Sequence, residues 1–347
     1  MTSTNAGAPS HRLKLGHVIR ILTLCLGGLA GFLRDQACAA ETTPVVLQLV
    51  DQTDVSAAGA IVALKAGLFA KYGLSVRIEN IDGGDASLQK GDAIVIRLQN
   101  AREFLIARAA GVPLVVIASN YIDSSVVFYF RRDRKIRSPD DLVAKKVGYD
   151  SKSDTGFVFE WFLGKNSVSR SSLTEVATSA GPSGILDNTL DVLVGHAGVE
   201  NVAFERNGVD YDVLDPRQYG VHIPGTAYLT TEANIRQNPD AIIRFLQALI
   251  AGWDLVYIDL DRTASMLAPP GSRESEIGLL RRSLEQQREF LRPGGARFGE
   301  VLKHKWSEIY AYMFQKRLIR SPIDLSRATD QKLLTEAYRS GGRKIAK

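Results

Sequence analysis

The chain has 347 residues, of which 45% are hydrophobic and 23% charged, and its formal net charge is +5 at pH 7. This composition is ordinary for a globular protein and leaves room for two domains with packed cores. Four basic residues and one acid lie in the first 40 residues, so the remainder carries a net charge of only +2. That near balance leaves no concentrated basic face to argue from, and no nucleic-acid partner is expected.

The N-terminus has the three regions of an export signal. The basic segment Arg12–Arg20 precedes the apolar run Ile21–Phe32, and the small-residue stretch Ala37–Ala40 follows. This order predicts a secretory signal peptide over residues 1–40, cleaved near its end. The apolar run is shorter than the roughly 20 residues that span a bilayer, which makes an uncleaved membrane anchor the weaker alternative.

Cysteine usage agrees with export. Cys25 and Cys38 are the only cysteines, and both fall in the predicted signal. The mature chain would then contain neither a disulfide nor a thiolate metal site. We expect a periplasmic protein that is held together by its cores alone.

The mature chain opens on a βαβ unit. A wholly apolar strand, Val45–Val50, is followed by a polar turn at 52–56, a helix within Ala60–Leu68 and a second strand, Leu74–Ile78. Such units close right-handed and leave a crevice at the carboxyl ends of their strands. The sequence therefore predicts a small-ligand site at that crevice.

The same alternation continues and predicts a doubly wound α/β lobe. A short helix (Ala86–Lys90), a strand (Ala93–Leu98), a helix (Arg102–Ala110) and a strand (Val112–Ala118) follow in order. Polar and small residues at 119–125 then indicate a crossing to a second lobe.

The second α/β lobe fills residues 126–221. Its predicted strands are Val126–Phe130, Lys145–Tyr149, Leu173–Ala177, Val192–Val194 and Val213–Leu214, and its clearest helix is Phe157–Leu163. Residues 222–230 indicate a return crossing, with a strand at Tyr228–Thr230.

The C-terminal third is helical. Apolar residues at three- and four-residue steps predict helices at Ala241–Ile258, Ser272–Leu291 and Val301–Gln315, and the basic tail Arg339–Lys347 is expected to be frayed. The predicted fold class is therefore α/β, with two doubly wound lobes joined by two crossings and a helical C-terminal extension. Lobe I comprises 41–121 plus 225–347, and lobe II comprises 122–224.

Several motifs in fixed order resemble one family. They are Ala63–Val76 (ALKAGLFAKYGLSV), a shortened Leu88–Ala93 (LQKGDA), Ala110–Ala118 (AGVPLVVIA), Ile136–Leu142 (IRSPDDL) and the helix start Asn238-Pro239. Together they resemble the substrate-binding proteins of ABC importers for nitrate, sulfonates, taurine and thiamine precursors. The resemblance covers nearly all of the mature chain.

This resemblance implies a periplasmic binding protein of the type II fold. Such a protein captures a small polar organic ligand between its lobes and delivers it to a membrane permease and its ATPase. It implies no cofactor, no metal, contact with the membrane only through the permease, and a monomer.

Loops and helix N-termini that face the cleft supply the candidate ligand-binding residues, because their free N–H groups and side chains favour polar ligands. They are Gln52, Thr53, Asp54, Ser56, Gln99, Asn100, Asn120, Tyr121, Ser151, Ser153, Thr155 and Gly156, with Asp154 in the same loop as the last four.

Each of these residue types also has a purely structural use. Serine, threonine, aspartate and asparagine cap helices and build turns, and a tyrosine at a crossing packs a hinge. The isolated His196 and His222 are expected to be structural, and Trp161 and Trp253 to be core residues.

The predicted site limits the ligand. A carboxylate such as Asp54 in the cleft repels a sulfonate or nitrate and favours an amine or a ring N–H. No arginine follows the first strand, which weakens the case for a simple anion. The identity of the ligand stays open.

Two alternatives to a transport protein share this fold. One is a ligand-sensing subunit of a membrane receptor, and the other is an enzyme similar to the thiamine-pyrimidine synthase. The sequence has no metal-spaced histidines, nucleophile elbow or phosphate-binding glycine loop, so no enzymatic activity is expected.

Overall fold

The computed structural model describes residues 1–2, 42–49, 55–81, 88–177 and 181–344, with backbone only for 342–344. The chain divides into two units, Met1–Glu41 and Thr42–Lys347, and the second contains all of the architecture below. The predicted signal peptide, apart from its first two residues, lies outside the described residues.

The first of two mixed sheets has the strand order β2-β1-β3-β10-β4. Its strands are β1 (Thr43–Leu49), β2 (Leu74–Asn80), β3 (Ile94–Asn100), β4 (Leu114–Ser119) and β10 (Thr226–Thr231). β1 pairs in parallel with β2 and β3, whereas β10 is antiparallel to both β3 and β4.

The second sheet repeats this pattern with the order β7-β6-β8-β5-β9. Its strands are β5 (Val126–Arg131), β6 (Lys146–Tyr149), β7 (Thr174–Ala177), β8 (Val192–His196) and β9 (Tyr211–Leu214). β6 is parallel to β7 and β8, and β5 is antiparallel to β8 and β9. β5 and β10 are the strands by which the chain enters each sheet from the other, which explains their reversed direction.

The helices of the N-terminal two thirds flank the two sheets. They are α1 (Ala58–Lys65), α2 (Leu68–Lys71), α3 (Ala101–Ala109), α4 (Asp154–Lys165), α5 (Ser183–Leu186) and α6 (Asn201–Arg206), with 3-10 turns at Val55–Ala57, Arg132–Arg134, Pro139–Leu142, Arg170–Ser172 and Pro216–Tyr219.

The remaining helices form the C-terminal extension. They are α7 (Glu232–Gln237), α8 (Pro239–Ile258), α9 (Leu260–Leu267), α10 (Glu274–Gln286), α11 (Arg288–Leu291), α12 (Lys303–Gln315), α13 (Leu325–Ala328) and α14 (Lys332–Lys344), with a 3-10 turn at Pro293–Gly295.

Helix α8 is central to the hydrophobic core that includes strands β1 and β3 of the first sheet. Phe245, Leu249 and Trp253 on it are fully buried. A Cβ on Gly252 would lie 2.2 Å from the carbonyl oxygen of Gly59, so α8 crosses α1 with the two backbones in contact. By length and apolar composition α8 would pass as a membrane span, and its burial identifies it as a core helix.

Helix α12 of the extension packs against elements of both sheets. Trp306 meets Phe104 of α3 edge to face at 5.4 Å, and Tyr312 stacks on Trp161 of α4 at 4.2 Å. The predicted core positions of Trp161 and Trp253 are confirmed. The extension therefore holds the first sheet's helix layer and the second sheet's helix layer together.

Three predictions were wrong in part: the short helix at Ala86–Lys90, the single helix at Ser272–Leu291 and the frayed basic tail. Leu88–Lys90 is not helical; Lys90 forms isolated bridges with Asp92 and Ala93 instead. The predicted helix Ser272–Leu291 is two helices, α10 and α11, that meet at the buried Gln287.

The basic tail is also more ordered than its composition suggested. Helix α14 continues to Lys344 because Leu333, Leu334 and Ala337 bury one of its faces. The helical extension and the two mixed sheets agree with the predicted fold class, whereas the lobe boundaries stay a prediction.

Candidate functional site

A cleft of about 850 Å³ opens between the two sheets. Its described lining comes from the first sheet and its loops (Leu49, Val55, Ser56, Leu98–Asn100, Glu103, Gly225, Thr226), from the second (Ser124, Ser125, Asp154, His196–Val199, Val202, Arg206) and from the extension (Ala268–Ser272, Glu276, Leu279, Leu280, Ser283), with Tyr121 at the crossing. Ligands of small-metabolite size fit such a volume.

The two crossings between the sheets are hydrogen-bonded to each other beside this cleft. The backbone N–H groups of Asn120 and Tyr121 donate to the carbonyl of Thr226 at 2.8 and 3.0 Å. The Asn120 side chain, itself fully buried, donates to the Ser56 carbonyl at 2.9 Å and to the Thr226 hydroxyl at 3.1 Å. Asn120 therefore ties the crossing to the turn after β1.

Tyr121 joins the same crossing to the helical extension. Its hydroxyl donates to the Gln287 side-chain oxygen at 2.6 Å, and its ring meets Phe290 at 6.3 Å. Because only 5% of Tyr121 is exposed, its contribution to the cleft is a small part of the ring surface.

The first sheet presents two amides at the end of β3. Asn100 caps α3 by accepting from the Glu103 N–H at 2.9 Å. Gln99 donates from Nε2 to the Glu103 carboxylate at 3.1 Å, while its Oε1 is buried and has no partner among the described residues. A buried acceptor without a donor is costly, and this atom is too enclosed for a molecule in the cleft to reach it.

The second sheet presents a chain of three polar side chains. The Asp154 carboxylate lies 3.4 Å from Nε2 of His196, and Nδ1 of His196 lies 3.1 Å from the Ser125 hydroxyl. Nε2 donates to the carboxylate, and Nδ1 pairs with the hydroxyl, as a donor when the ring is cationic and as an acceptor when it is neutral. The three residues come from the start of α4, the end of β8 and the start of β5.

Hydrogen bonds to the backbone around Asp154, His196 and Ser125 hold these three residues in place. The His196 N–H donates to the Glu200 carboxylate at 2.6 Å, and its carbonyl accepts from the Tyr129 hydroxyl at 2.9 Å. Asp154 opens α4 directly after the capping Ser153, whose hydroxyl accepts from the Thr155 N–H at 3.2 Å. A helix N-terminus stabilises a negative side chain at that position.

The two carboxylates that flank His196 have pKa values shifted in opposite directions. Burial raises the pKa of Asp154, but the charge and hydrogen bond of His196, with the backbone N–H groups of Asp154 and Thr155, outweigh it and give a net lowering. Burial dominates at Glu200 and raises its pKa. Asp154 is therefore the ionised group of the cluster across the neutral range.

Acidic groups predominate in the described lining of the cleft. Glu103, Asp154 and Glu276 carry carboxylates, whereas Arg206 is the one arginine, and it lies 4.0 Å from Glu276. No group of three or more potential metal ligands occurs among the residues that the structure describes. This environment favours hydrogen-bond donors and disfavours an anion.

The structure places several of the predicted site residues on the cleft. Ser56, Gln99, Asn100 and Tyr121 line it, and Asn120 lies buried directly behind it. Their direct contact with a ligand stays a prediction.

The other predicted residues are either outside the described residues or absent from the described lining. Gln52, Thr53 and Asp54 lie outside the described residues, although Leu49 before them and Val55 after them line the cleft. Ser151, Ser153, Thr155 and Gly156 do not line it. The last two pack under the loop: Thr155 is buried, and a Cβ on Gly156 would lie 2.6 Å from the Asp150 carbonyl.

Sequence reasoning missed part of the lining. His196 was expected to be structural, and Ser125, Glu103, Arg206 and Glu276 were not singled out. Only the position of His196 at the end of a predicted strand pointed to the cleft.

A family model described as "NMT1/THI5 like" matches residues 54–259. A formylaminopyrimidine-binding protein of Halalkalibacterium halodurans is 22% identical over 273 residues, which cover 76% of this chain and 82% of that protein.

Two solved structures show the same fold. The periplasmic aliphatic sulphonate binding protein SsuA of Escherichia coli superposes with a TM-score of 0.67 at 16% identity, covering 84% of this chain and 92% of that one. The desulfurization enzyme DSZB superposes with a TM-score of 0.58 at 11% identity, covering 85% and 99%. The fold of a type II periplasmic binding protein is thereby confirmed, and this fold also occurs in an enzyme.

Proposed function

Since this chain belongs to the NMT1/THI5-like family, we propose that it captures a small polar organic molecule in the cleft and delivers it to an ABC importer. Its partners would be a permease and the ATPase that drives it. Export by the predicted signal peptide would place it in the periplasm as a monomer, with membrane contact only through the permease.

The observation that carries the ligand class is the Asp154 carboxylate. It is held ionised by His196 and by the N-terminus of α4, and 25% of its side chain is exposed. A carboxylate fixed in this way accepts one or two hydrogen bonds from N–H donors and gains further from a positive charge.

A nitrogen heterocycle with exocyclic amino groups carries N–H donors of the kind that the Asp154 carboxylate accepts. The formylaminopyrimidine-binding relative is named for a ligand with this chemistry. A sulfonate, the ligand in the name of SsuA, would face three carboxylates and one arginine.

An enzymatic role has less support. Ser125, His196 and Asp154 resemble a nucleophile, base and orienting acid in type. However, only 5% of Ser125 is exposed, so these three residues present the Asp154 carboxylate to the cleft more than the Ser125 hydroxyl. A ligand-sensing subunit would use the same cleft and differ only in its membrane partner.

A thermal-shift screen of the mature protein tests this proposal. We expect an aminopyrimidine to raise Tm, since a ligand at 100 times its Kd stabilises the folded state by about 2.7 kcal/mol. Aliphatic sulfonates, taurine and nitrate should leave Tm unchanged at the same ionic strength.

Matched variants locate the effect. Asp154→Asn should abolish most of the shift, whereas Asp140→Asn, an exposed aspartate outside the cleft, should retain it. Stabilisation by sulfonates instead of aminopyrimidines, or an equal shift in both variants, would contradict the proposed ligand class.

A further inference from the structure

A second groove, of about 520 Å³, lies on the helical extension and shares no lining residue with the cleft. It is formed by α8, α11, the loop that follows α11, and α14. Its described lining residues are Asp254, Arg288, Glu289, Arg292, Gly295, Ala296, Arg297, Phe298 and Tyr338. Three of these nine residues are arginines.

Aromatic rings hold two of the arginines in place. The Arg288 guanidinium lies over the Tyr257 ring, 4.8 Å from its centroid, and the Arg297 guanidinium lies over Tyr338 at 5.0 Å. A guanidinium stacked on a ring keeps its N–H groups in a plane that points away from the ring. Stacking therefore orients these N–H donors and leaves them available for hydrogen bonds.

The N–H donors of the arginines are only partly used. The Arg288 side chain makes neither a hydrogen bond nor an ion pair with the described residues and contacts the Tyr257 ring instead. Arg292 donates from Nη2 to Asp254 at 2.8 Å, while its buried Nε has no partner there. Arg297 contacts Glu300 from Nε alone, at 3.3 Å. Each guanidinium carries five N–H donors, so most of them have no acceptor within the part of the chain that the structure describes.

Two carboxylates line the groove, and each already has a basic partner. Asp254 pairs with Arg292, and Glu289 lies 3.4 Å from Arg217, which stands outside the groove lining. Arg297 pairs with Glu300, which also stands outside the lining, so Arg288 is the lining arginine without a carboxylate partner among the described residues.

The loop between Arg292 and Arg297 has the sequence RPGGAR. Gly294 and Gly295 adopt positive φ values of 59° and 81°, a conformation that other residues rarely take. Their turn returns the chain so that arginines from both ends of the loop line one groove.

We propose that this groove binds a multiply charged oxyanion of the phosphate or sulfate type, either free or as the head of a small organic molecule. Guanidinium groups match the geometry of such oxygens and bind them with paired hydrogen bonds. The concave shape and the stacked side chains favour a small ligand over a flat macromolecular partner. The site would operate beside the cleft, with opposite charge preference.

Titration of the mature protein with inorganic phosphate, followed by Tm at constant ionic strength, tests the proposal. We expect a saturable rise that chloride does not reproduce, and a similar rise with glycerol 3-phosphate. Arg288→Gln should weaken apparent phosphate affinity at least about tenfold, the usual effect of losing a hydrogen bond to a charged group. The Arg288 side chain makes no hydrogen bond with the described residues and would lose only its stacking on Tyr257, so this variant should fold normally.

Arg320→Gln is the matched control, because it removes the same charge from an exposed arginine outside the groove. It should bind phosphate as the native chain does. Equal weakening of phosphate binding in both variants, or a rise in Tm that never saturates, would indicate non-specific screening of surface charge and would overturn the proposal. Sedimentation with phosphatidylglycerol vesicles in the absence of any response to free phosphate would also overturn it.

Discussion

Lys305 of α12 forms an ion pair with Asp123 on the first crossing between the sheets, and both side chains are almost wholly buried, at 9% and 6% exposed. The same α12 packs against helices of both sheets. The charged pair therefore fixes the extension to the segment that joins the two sheets.

The buried pair gives the first prediction. Lys305→Met leaves the Asp123 carboxylate buried and unpaired, and should lower the free energy of unfolding by about 3–5 kcal/mol. The double variant Asp123→Leu/Lys305→Met removes both charges and should recover most of that loss. Urea denaturation of Lys305→Met, Asp123→Leu and the double variant completes a double-mutant cycle and measures the coupling between the two charges.

The exposed pair Arg132–Asp210 serves as the control, with side chains 63% and 73% exposed at 3.4 Å. Arg132→Met should change stability by less than about 1 kcal/mol. If Lys305→Met proved equally mild, the pair would not hold the crossing.

Close backbone contact between α1 and α8 gives the second prediction. Gly252→Ala forces a Cβ to within 2.2 Å of the Gly59 carbonyl, so the helices must separate, and the loss should reach the upper end of about 1–3 kcal/mol for overpacking. Gly164→Ala, in α4 with nothing within 4 Å, should instead gain about 0.5–1 kcal/mol. The two variants should therefore change the free energy of unfolding in opposite directions, as measured by denaturant unfolding.

The opposite pKa shifts beside His196 give the third prediction. The pKa of Asp154 is lowered from 3.8, so its stabilising effect is complete above pH 3.8 and is lost as the pH falls through the lower folded value. The pKa of Glu200 is raised from 4.5, so stability due to this group falls as the pH rises from 4.5 toward its folded value.

Unfolding measured from pH 3 to pH 7 separates these contributions. Asp154→Asn should flatten the loss of stability below pH 3.8, and Glu200→Gln should flatten the decline that begins at pH 4.5. Glutamine still offers an oxygen to the His196 N–H. Identical pH profiles in the two variants would contradict the assigned shifts.

The fold was largely readable from the sequence because its elements have clear periods. The βαβ opening, the strands of both sheets and the helix α8 follow from apolar spacing and from glycine or proline boundaries. The junction of α10 and α11 at Gln287 was not readable. At this junction Gln287 accepts a hydrogen bond from Tyr121, 166 positions earlier in the chain, and so distant a contact leaves no local pattern.

The site was less readable, for a related reason. Gln99 and Asn100 follow from their place at the end of a strand. His196 lies 42 positions after Asp154 and 71 after Ser125, and only the strand order of the second sheet brings the three together. A lone histidine carries no sign of such partners, so its contacts could not be inferred from residue type.

The central claim is that the cleft receives an N–H donor ligand at Asp154. Calorimetric titration of an aminopyrimidine into the mature protein tests it most directly, with Asp154→Asn and Arg288→Gln measured in parallel. The account predicts one site per chain, at least about tenfold weaker binding in Asp154→Asn, and native binding in Arg288→Gln. Native binding in Asp154→Asn, or binding of an alkanesulfonate in place of the aminopyrimidine, would contradict it.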